Sequence, residues 1–393
     1  MGVGRFCLLE TGNTALIQLI RAQIQKHGPV PFAWFMEQAL YHPQHGYYSS
    51  GRSVIGRKGD YFTNVSVGPL FGQLLAAQFV EIWERLGKID NFTIVEQGAH
   101  DGRFARDVLL AIRVRSPEFF SALRYRIVEP FPVWQDRQSQ TLAEFGDRVE
   151  CCESLDRLEP FVGVHFSNEL LDAMPMRLLG PDGGTRAVVS QIFGRRQRAA
   201  LQEKLVALQG NELVFIEKPS KETERSPAIF TWIDTLSTKL NRGFVIAIDF
   251  GFVREDFREV LQARAQHRLL DSPFEQIGDA DITAHINWTE IAERAETNGL
   301  HIAGFTDQHH FFTGIISAWP NLLSASVSNS TALSSQVRHA DEDAKSKRAL
   351  QTLLHPEMLG RAFQVLTLSK DVDLAEPLAG LTFARDPRAA LGI

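Results

Sequence analysis

Apolar residues near the start of the chain recur three and four positions apart: Leu16, Ile17, Leu19, Ile20 and Ile24, then Phe32, Phe35, Met36 and Leu40. That interval places side chains on one side of an α-helix. The spacing predicts a helical N-terminal region, closed by the Pro- and Gly-containing segment Tyr41–Gly46. A longer helix is predicted over 68–86, stopping at Gly87.

Beyond residue 90 the rhythm changes. Short β-branched or apolar runs at Phe92–Glu96, Tyr125–Glu129, Val149–Cys152, Val162–Phe166 and Phe244–Asp249 read as strands. Between the first two, Phe104, Val108, Leu109 and Ile112 keep helical spacing. Strands alternating with helices build β-α-β units and a largely parallel sheet. Two later strands, His301–Phe305 and Ala362–Leu368, suit an antiparallel end of that sheet. The Ser-rich, then charged tract between them, 321–348, reads as a surface excursion. Over 176–240 the alternation breaks. The turn signal Gly180–Gly184 is flanked by Met176–Leu179 and Arg186–Phe193, and Asn211–Glu217 looks like another strand, so an insertion of antiparallel ribbons is expected. The expected division is an N-terminal region 1–58, a core in two parts, 59–175 and 241–393, and the insertion 176–240 between them.

Composition narrows the function classes. Hydrophobic residues at 44% and charged residues at 22% are ordinary for a soluble globular chain. A net charge of -6 argues against non-specific binding to nucleic acid or an anionic membrane, and leaves room for a cationic substrate such as an arginine-bearing protein. The three cysteines, Cys7, Cys151 and Cys152, contain no C-x-x-C pair and imply a reducing compartment. His267, His285, His309 and His310 lack an i,i+4 His pair or a Cys partner, so no metal site is expected. The first residues carry no signal-peptide pattern, and no run approaches the ~20 apolar residues of a membrane span. The expectation is a cytoplasmic protein.

The densest chemistry lies in Phe92–Phe104. A buried strand ends at Glu96, a turn with Gly98 and Gly102 follows, and a helix begins. Glycines allow a sharp turn and close approach of a ligand, and a helix N-terminus offers free N–H groups to an anion such as a methionine carboxylate. The central glycine of a G-x-G-x-x-G dinucleotide turn is missing. The next strand ends at Glu129, where doubly wound folds accept ribose hydroxyls. Past the fourth strand, Asn168, Glu169 and Asp172 bring two carboxylates and an amide together. Carboxylates there could fix a guanidinium bidentately, Glu169 first and Asp172 second. Capping of a helix beginning near Leu170 is the competing use of Asn168 and Asp172. Gly59, Asp60 and Thr63, ahead of the 68–86 helix, could fold over the cofactor, and Ile248–Gly251 ends the fifth strand at the crevice edge.

In order, Phe35–Pro43 with Gly46–Tyr48, Gly59–Thr63, Phe71-Gly72, the glycine turn, Asn168-Glu169 with Asp172–Pro175, Ile248–Gly251, Asp281–His285 and Pro356–Phe363 resemble the MidA-type methyltransferases over nearly the whole chain. The resemblance implies a Rossmann-like, seven-stranded class I methyltransferase sheet and S-adenosyl-L-methionine as donor. It implies cofactor contacts from Gly59, Asp60, Thr63, Glu96, Gly98, Gly102, Glu129 and Asn168. For mitochondrial members it implies symmetric dimethylation of arginine on a respiratory complex I subunit. Two departures stand out. His100 occupies a position where the E-x-G-x-G-x-G pattern has glycine, and Asn64-Val65-Ser66 replaces S-P-E. A protein-arginine methyltransferase, a methyltransferase for a small molecule or another side chain, and a non-catalytic assembly scaffold are the functions left open, with a nicotinamide oxidoreductase behind them.

Overall fold

The computed structural model describes residues 11–52, 63–181, 201–254, 260–323 and 335–393. The largest sheet contains β1 (Phe92–Gln97), β2 (Leu123–Val128), β3 (Val149–Cys152), β4 (Phe161–Asn168), β5 (Leu240–Phe252), β6 (His301–Asp307) and β7 (Phe363–Lys370). Their order across the sheet is β6-β7-β5-β4-β1-β2-β3. β1 to β5 run parallel, and β7 lies antiparallel between β5 and β6. A two-residue strand, Ile286–Asn287, pairs in parallel with the end of β5. This is the mixed α/β, Rossmann-like sheet expected. Chain order reverses between β1 and β4, and such a switch point opens a crevice at the carboxyl ends of the strands.

The described residues fall into two compact units. One contains those of Phe62–Asp172, Thr231–Arg258 and His285–Ile393, and so holds the large sheet. Its core is rich in phenylalanine. Phe104, from helix Arg103–Arg115, stacks on Phe166 of β4 with ring centroids 4.6 Å apart, and Phe71, from helix Leu70–Arg85, meets Phe104 at 5.4 Å. Fully buried aromatic pairs of this kind fix the helices against the sheet beyond what area burial alone supplies.

The other unit gathers the described residues of Met1–Tyr61, Ala173–Phe230 and Glu259–Ala284. Helix Thr14–His27 is capped by Asn13, whose side chain accepts the Leu16 N–H at 3.1 Å, and buries Leu16, Ile17, Ile20 and Ile24. Leu19, placed on the same face by spacing, is half exposed. Helix Phe32–Tyr41 follows. Strand Leu201–Gln209 pairs antiparallel with Glu212–Ser220, with Leu178–Pro181 and with Val30–Pro31, giving the inserted β-rich segment. Arg186–Phe193 lies outside the described residues. A three-stranded sheet of Leu261–Ala265, Arg268–Leu269 and Asp281–Ala284 completes the unit.

These groupings differ from the expected division. Residues of the N-terminal region, of the insertion and of 259–284 pack around one shared core containing Phe32, Phe35, Val206, Phe274 and Ile282. Two of the ordered motifs meet there, where the Tyr48 hydroxyl donates to Asp281 Oδ1 at 2.7 Å. Helix Ser335–Leu354 begins inside the 321–348 tract and runs beyond it. Leu353 at its end is fully buried in the core of the large-sheet unit, the one that holds Phe71 and Phe104, and Leu350 packs against that core. Its apolar anchor sits in the last turns, beyond the charged stretch that dominates the sequence pattern. Among the described residues no helix is long and apolar enough to cross a membrane.

Candidate active site

Every described candidate residue lies in the unit that holds the large sheet. Glu96, near the end of β1, is 3% exposed and accepts the Tyr125 hydroxyl at 2.7 Å. Burial pushes its carboxyl up to about 8 against the pull of that hydrogen bond, with Asp101 adding to the rise. Gly98 and Gly102 both have left-handed backbone, φ 83° and 81°, and Gly102 immediately precedes helix Arg103–Arg115. His100 shares this region at φ 48°. The turn therefore keeps glycine-like geometry with a histidine in it, at a backbone cost of about 1–3 kcal/mol. The imidazole lies over Trp134 with centroids 4.1 Å apart, which offsets part of that cost.

Glu129 follows β2 directly and is 6% exposed. Its Oε1 accepts the Phe131 N–H at 3.1 Å, and its Oε2 accepts Gln138 Nε2 at 3.1 Å. Burial raises this carboxyl to about 7. Each oxygen of an ionised carboxylate has roughly two acceptor positions, so both keep capacity for a further donor. Gln138, fully buried in helix Pro132–Thr141, also donates to the His100 carbonyl at 2.8 Å and so ties the glycine turn to Glu129.

Past β4 no helix begins at Leu170; residues 169–174 form an irregular turn. The N–H groups of Leu170, Leu171 and Asp172 converge on Asp249 Oδ2 at 3.1, 2.8 and 3.3 Å. The Phe250 N–H takes Asp249 Oδ1 at 2.7 Å. Capping by Asn168 or Asp172 is thus replaced by a carboxylate from the neighbouring strand. Burial raises Asp249 to about 7, opposed by these four N–H bonds. Glu169 sits at φ 53°, and its N–H donates to the Ile248 carbonyl at 2.9 Å. Its Oε1 accepts Asn168 Nδ2 at 2.7 Å and the Asn64 N–H at 3.4 Å. Asn64 Nδ2 in turn donates to Asn168 Oδ1 at 2.8 Å. Asp172 is 6% exposed.

Thr63 is buried, and its side chain closes a reciprocal turn with Ser66. The Ser66 N–H donates to Thr63 Oγ1 at 3.2 Å and the Thr63 N–H to Ser66 Oγ at 3.3 Å. Gly59 and Asp60 lie outside the described residues. Three participants were missed by spacing and motif. Asp249 was visible only as part of Ile248–Gly251, Asn64 only as a departure from S-P-E, and Gln138 sits in a polar helix with no pattern to single it out.

These residues fit S-adenosyl-L-methionine. Among the described residues a Cβ at Gly98 would meet only the Leu170 side chain, at 3.4 Å, which leaves space above the turn. Glu129 retains acceptor capacity, and Asn64 Oδ1 is buried and meets no donor among the described residues. Among the described residues no three His, Cys, Asp or Glu side chains gather as metal ligands. The fold, with a glycine turn after β1 and a carboxylate after β2, defines the class of S-adenosyl-L-methionine-dependent methyltransferases.

Residues 74–306 match the family described as S-adenosyl-L-methionine-dependent methyltransferase, and the chain belongs to that family, of the MidA type. Its overall structure is similar to a Burkholderia thailandensis protein crystallised with S-adenosyl-homocysteine: TM-score 0.79, 26% identity, covering 95% of this chain and 96% of that one. Among curated relatives, the Drosophila melanogaster mitochondrial protein arginine methyltransferase NDUFAF7 homolog is 28% identical over 77% of this chain and 75% of its own. The Xenopus tropicalis mitochondrial NDUFAF7 is 25% identical over the same shares. S-adenosyl-L-methionine is the methyl donor, and the protein is a methyltransferase.

Proposed function

We propose that the methyl group goes to an arginine nitrogen of a protein substrate. The observation that carries this reading is Glu169, a carboxylate held just past β4 at a left-handed φ of 53° by a turn whose N–H groups are fixed on Asp249. Backbone strain of this kind persists only where surrounding contacts enforce it, and it concentrates where a side chain must be aimed. A carboxylate so aimed can pair with a guanidinium, fix its plane and hold positive charge on the nitrogens that do not react. The names of the curated relatives, protein arginine methyltransferases, support the same acceptor.

In this reading the cofactor rests over Gly98 and Gly102, with Glu129 taking ribose hydroxyls and Glu96 shaping the floor. Bound there, it supplies an electrophilic methyl group on a sulfonium. Glu169 orients the acceptor, Asp172 lines the same turn, and Asn168 links the two sides. Thr63 borders the cofactor, and Gly59 and Asp60, outside the described residues, are cofactor contacts on the family resemblance alone. Transfer to a positioned acceptor draws most of its rate from orientation. A respiratory-complex subunit is the first substrate to try, on the family resemblance. A cytoplasmic location is kept as the working compartment, while the curated relatives are named as mitochondrial.

The test is Glu169→Gln, which keeps shape and removes charge. S-adenosylhomocysteine affinity stays within twofold, while methyl transfer to protein, read by intact mass and arginine-resolved fragmentation, falls by about 10²–10³. Normal turnover in a variant with normal binding, or label recovered on a residue other than arginine, overturns the proposal.

A further inference from the structure

Asn64 is fully buried, with 0% relative exposure. Its hydrogen bonding has a direction that the neighbouring carboxylate dictates. Glu169 Oε1, when ionised, can only accept, so the Asn168 amide 2.7 Å away must present its Nδ2–H to it. That leaves Asn168 Oδ1 facing Asn64 at 2.8 Å, which obliges Asn64 to present Nδ2–H in turn. Flipping either amide would set oxygen against oxygen or N–H against N–H. The relay therefore ends on Asn64 Oδ1, which is buried and receives no N–H or O–H among the described residues. An unmet buried acceptor destabilises the fold, and each link toward the carboxylate makes this oxygen more electron-rich. Its natural complement is a cationic N–H donor.

The relay also has a place. Among the described residues, Leu170, directly after Glu169, is the only side chain that a Cβ at Gly98 would meet. The Asn168–Leu170 turn thus borders the glycine turn over which the methionine end of the cofactor is proposed to lie. We infer that Asn64 is a ligand-binding residue whose Oδ1 accepts an N–H from the α-ammonium of the bound cofactor's methionine. The sequence signal is the departure at Asn64 from the S-P-E pattern, so this chain places an amide where the family pattern places serine.

The inference rests on the proposed seat over Gly98, and two ligands separate the two claims. 5′-Methylthioadenosine carries the nucleoside and sulfur but no amino acid, so it reports on the nucleoside seat alone. S-adenosylhomocysteine adds the ammonium. In Asn64→Leu, calorimetry should show S-adenosylhomocysteine binding weakened at least tenfold, with 5′-methylthioadenosine unchanged and only a modest fall in melting temperature, since Asn168 Oδ1 loses its donor. Asn64→Ser, whose hydroxyl can still donate toward Asn168 and accept from a ligand, should recover part of the loss. Unchanged S-adenosylhomocysteine affinity in a folded leucine variant overturns the inference, even if turnover falls, since Asn64 would then face the acceptor. Equal weakening of both ligands, or a collapse in melting temperature with no recovery in the serine variant, overturns it in favour of a purely structural role.

Discussion

Gln138 Nε2 donates to Glu129 Oε2 at 3.1 Å, and the same amide nitrogen reaches the His100 carbonyl at 2.8 Å. One buried side chain thereby couples the loop after β1 to the carboxylate after β2, the two places where a nucleoside-bearing cofactor is gripped in doubly wound folds. Two variants separate grip from coupling. Glu129→Ala should raise the dissociation constant for S-adenosylhomocysteine at least tenfold, since charge-assisted hydrogen bonds contribute about 1.5–3 kcal/mol each. Gln138→Leu should weaken binding less while lowering stability by about 1–3 kcal/mol, because the His100 carbonyl loses its partner. Calorimetry and thermal melts on both variants check the order, and equal affinity in Glu129→Ala and wild type would remove Glu129 from the site.

Asp249→Asn should act on geometry. Three N–H groups of the 170–172 turn point at one oxygen of Asp249, and an amide there offers a single neutral acceptor. A loss of about 2–3 kcal/mol in stability is expected, together with a fall in turnover that exceeds any change in cofactor affinity. Amide exchange of Leu170, Leu171 and Asp172 should accelerate in the variant. Protection equal to wild type would mean that Asp249 does not hold the turn.

Stability should fall as pH rises toward 8. Burial raises Glu96 to about 8 and Glu129 and Asp249 to about 7, whereas unfolded carboxyls titrate near pH 4. Between those limits these carboxyls hold more protons in the folded chain than in the unfolded chain, which lowers the free energy of unfolding as pH rises. Three buried or half-buried histidines lowered by desolvation, His42, His165 and His285, work the other way below about pH 6.5, so the decline of the unfolding free energy with pH is steepest from about 6.5 to 8, where the raised carboxyls still titrate. The melting temperature of the cofactor-free protein should be lower at pH 8 than at pH 6, and Glu96→Gln should flatten the upper part of that slope. A melting temperature that climbs over this window contradicts the raised values.

His165, fully buried in β4, has neither ring nitrogen hydrogen-bonded among the described residues and meets Trp232 edge-on at 5.4 Å. Burial lowers it to about 3, so it is neutral at any working pH. His165→Leu removes two unmet polar atoms and should stabilise the protein by about 1–3 kcal/mol with binding and turnover unchanged. A destabilised leucine variant would show that the imidazole packs better than its unmet nitrogens suggest.

The sequence by itself determined the elements whose cause is local. Apolar runs such as Phe92–Glu96 and Phe244–Asp249 became β1 and the middle of β5, because a strand buried on both faces needs continuous apolar residues. The glycine turn was legible because few residues other than glycine adopt φ near 80° without strain. The ordered motifs carried the family, the cofactor and hence the crevice. Tertiary structure alone decided which groups meet. Asp249 reaches the N–H groups of a turn some eighty positions earlier only because β4 and β5 are neighbours in the sheet. Asn64 finds Asn168 across a separation of 104 residues. Which segments share the second core was likewise set in three dimensions, since Phe32, Val206 and Ile282 come from three stretches with no common pattern. Periodicity records how each residue faces its own element, whereas the partner across an interface depends on strand order and packing, to which spacing along one chain is blind.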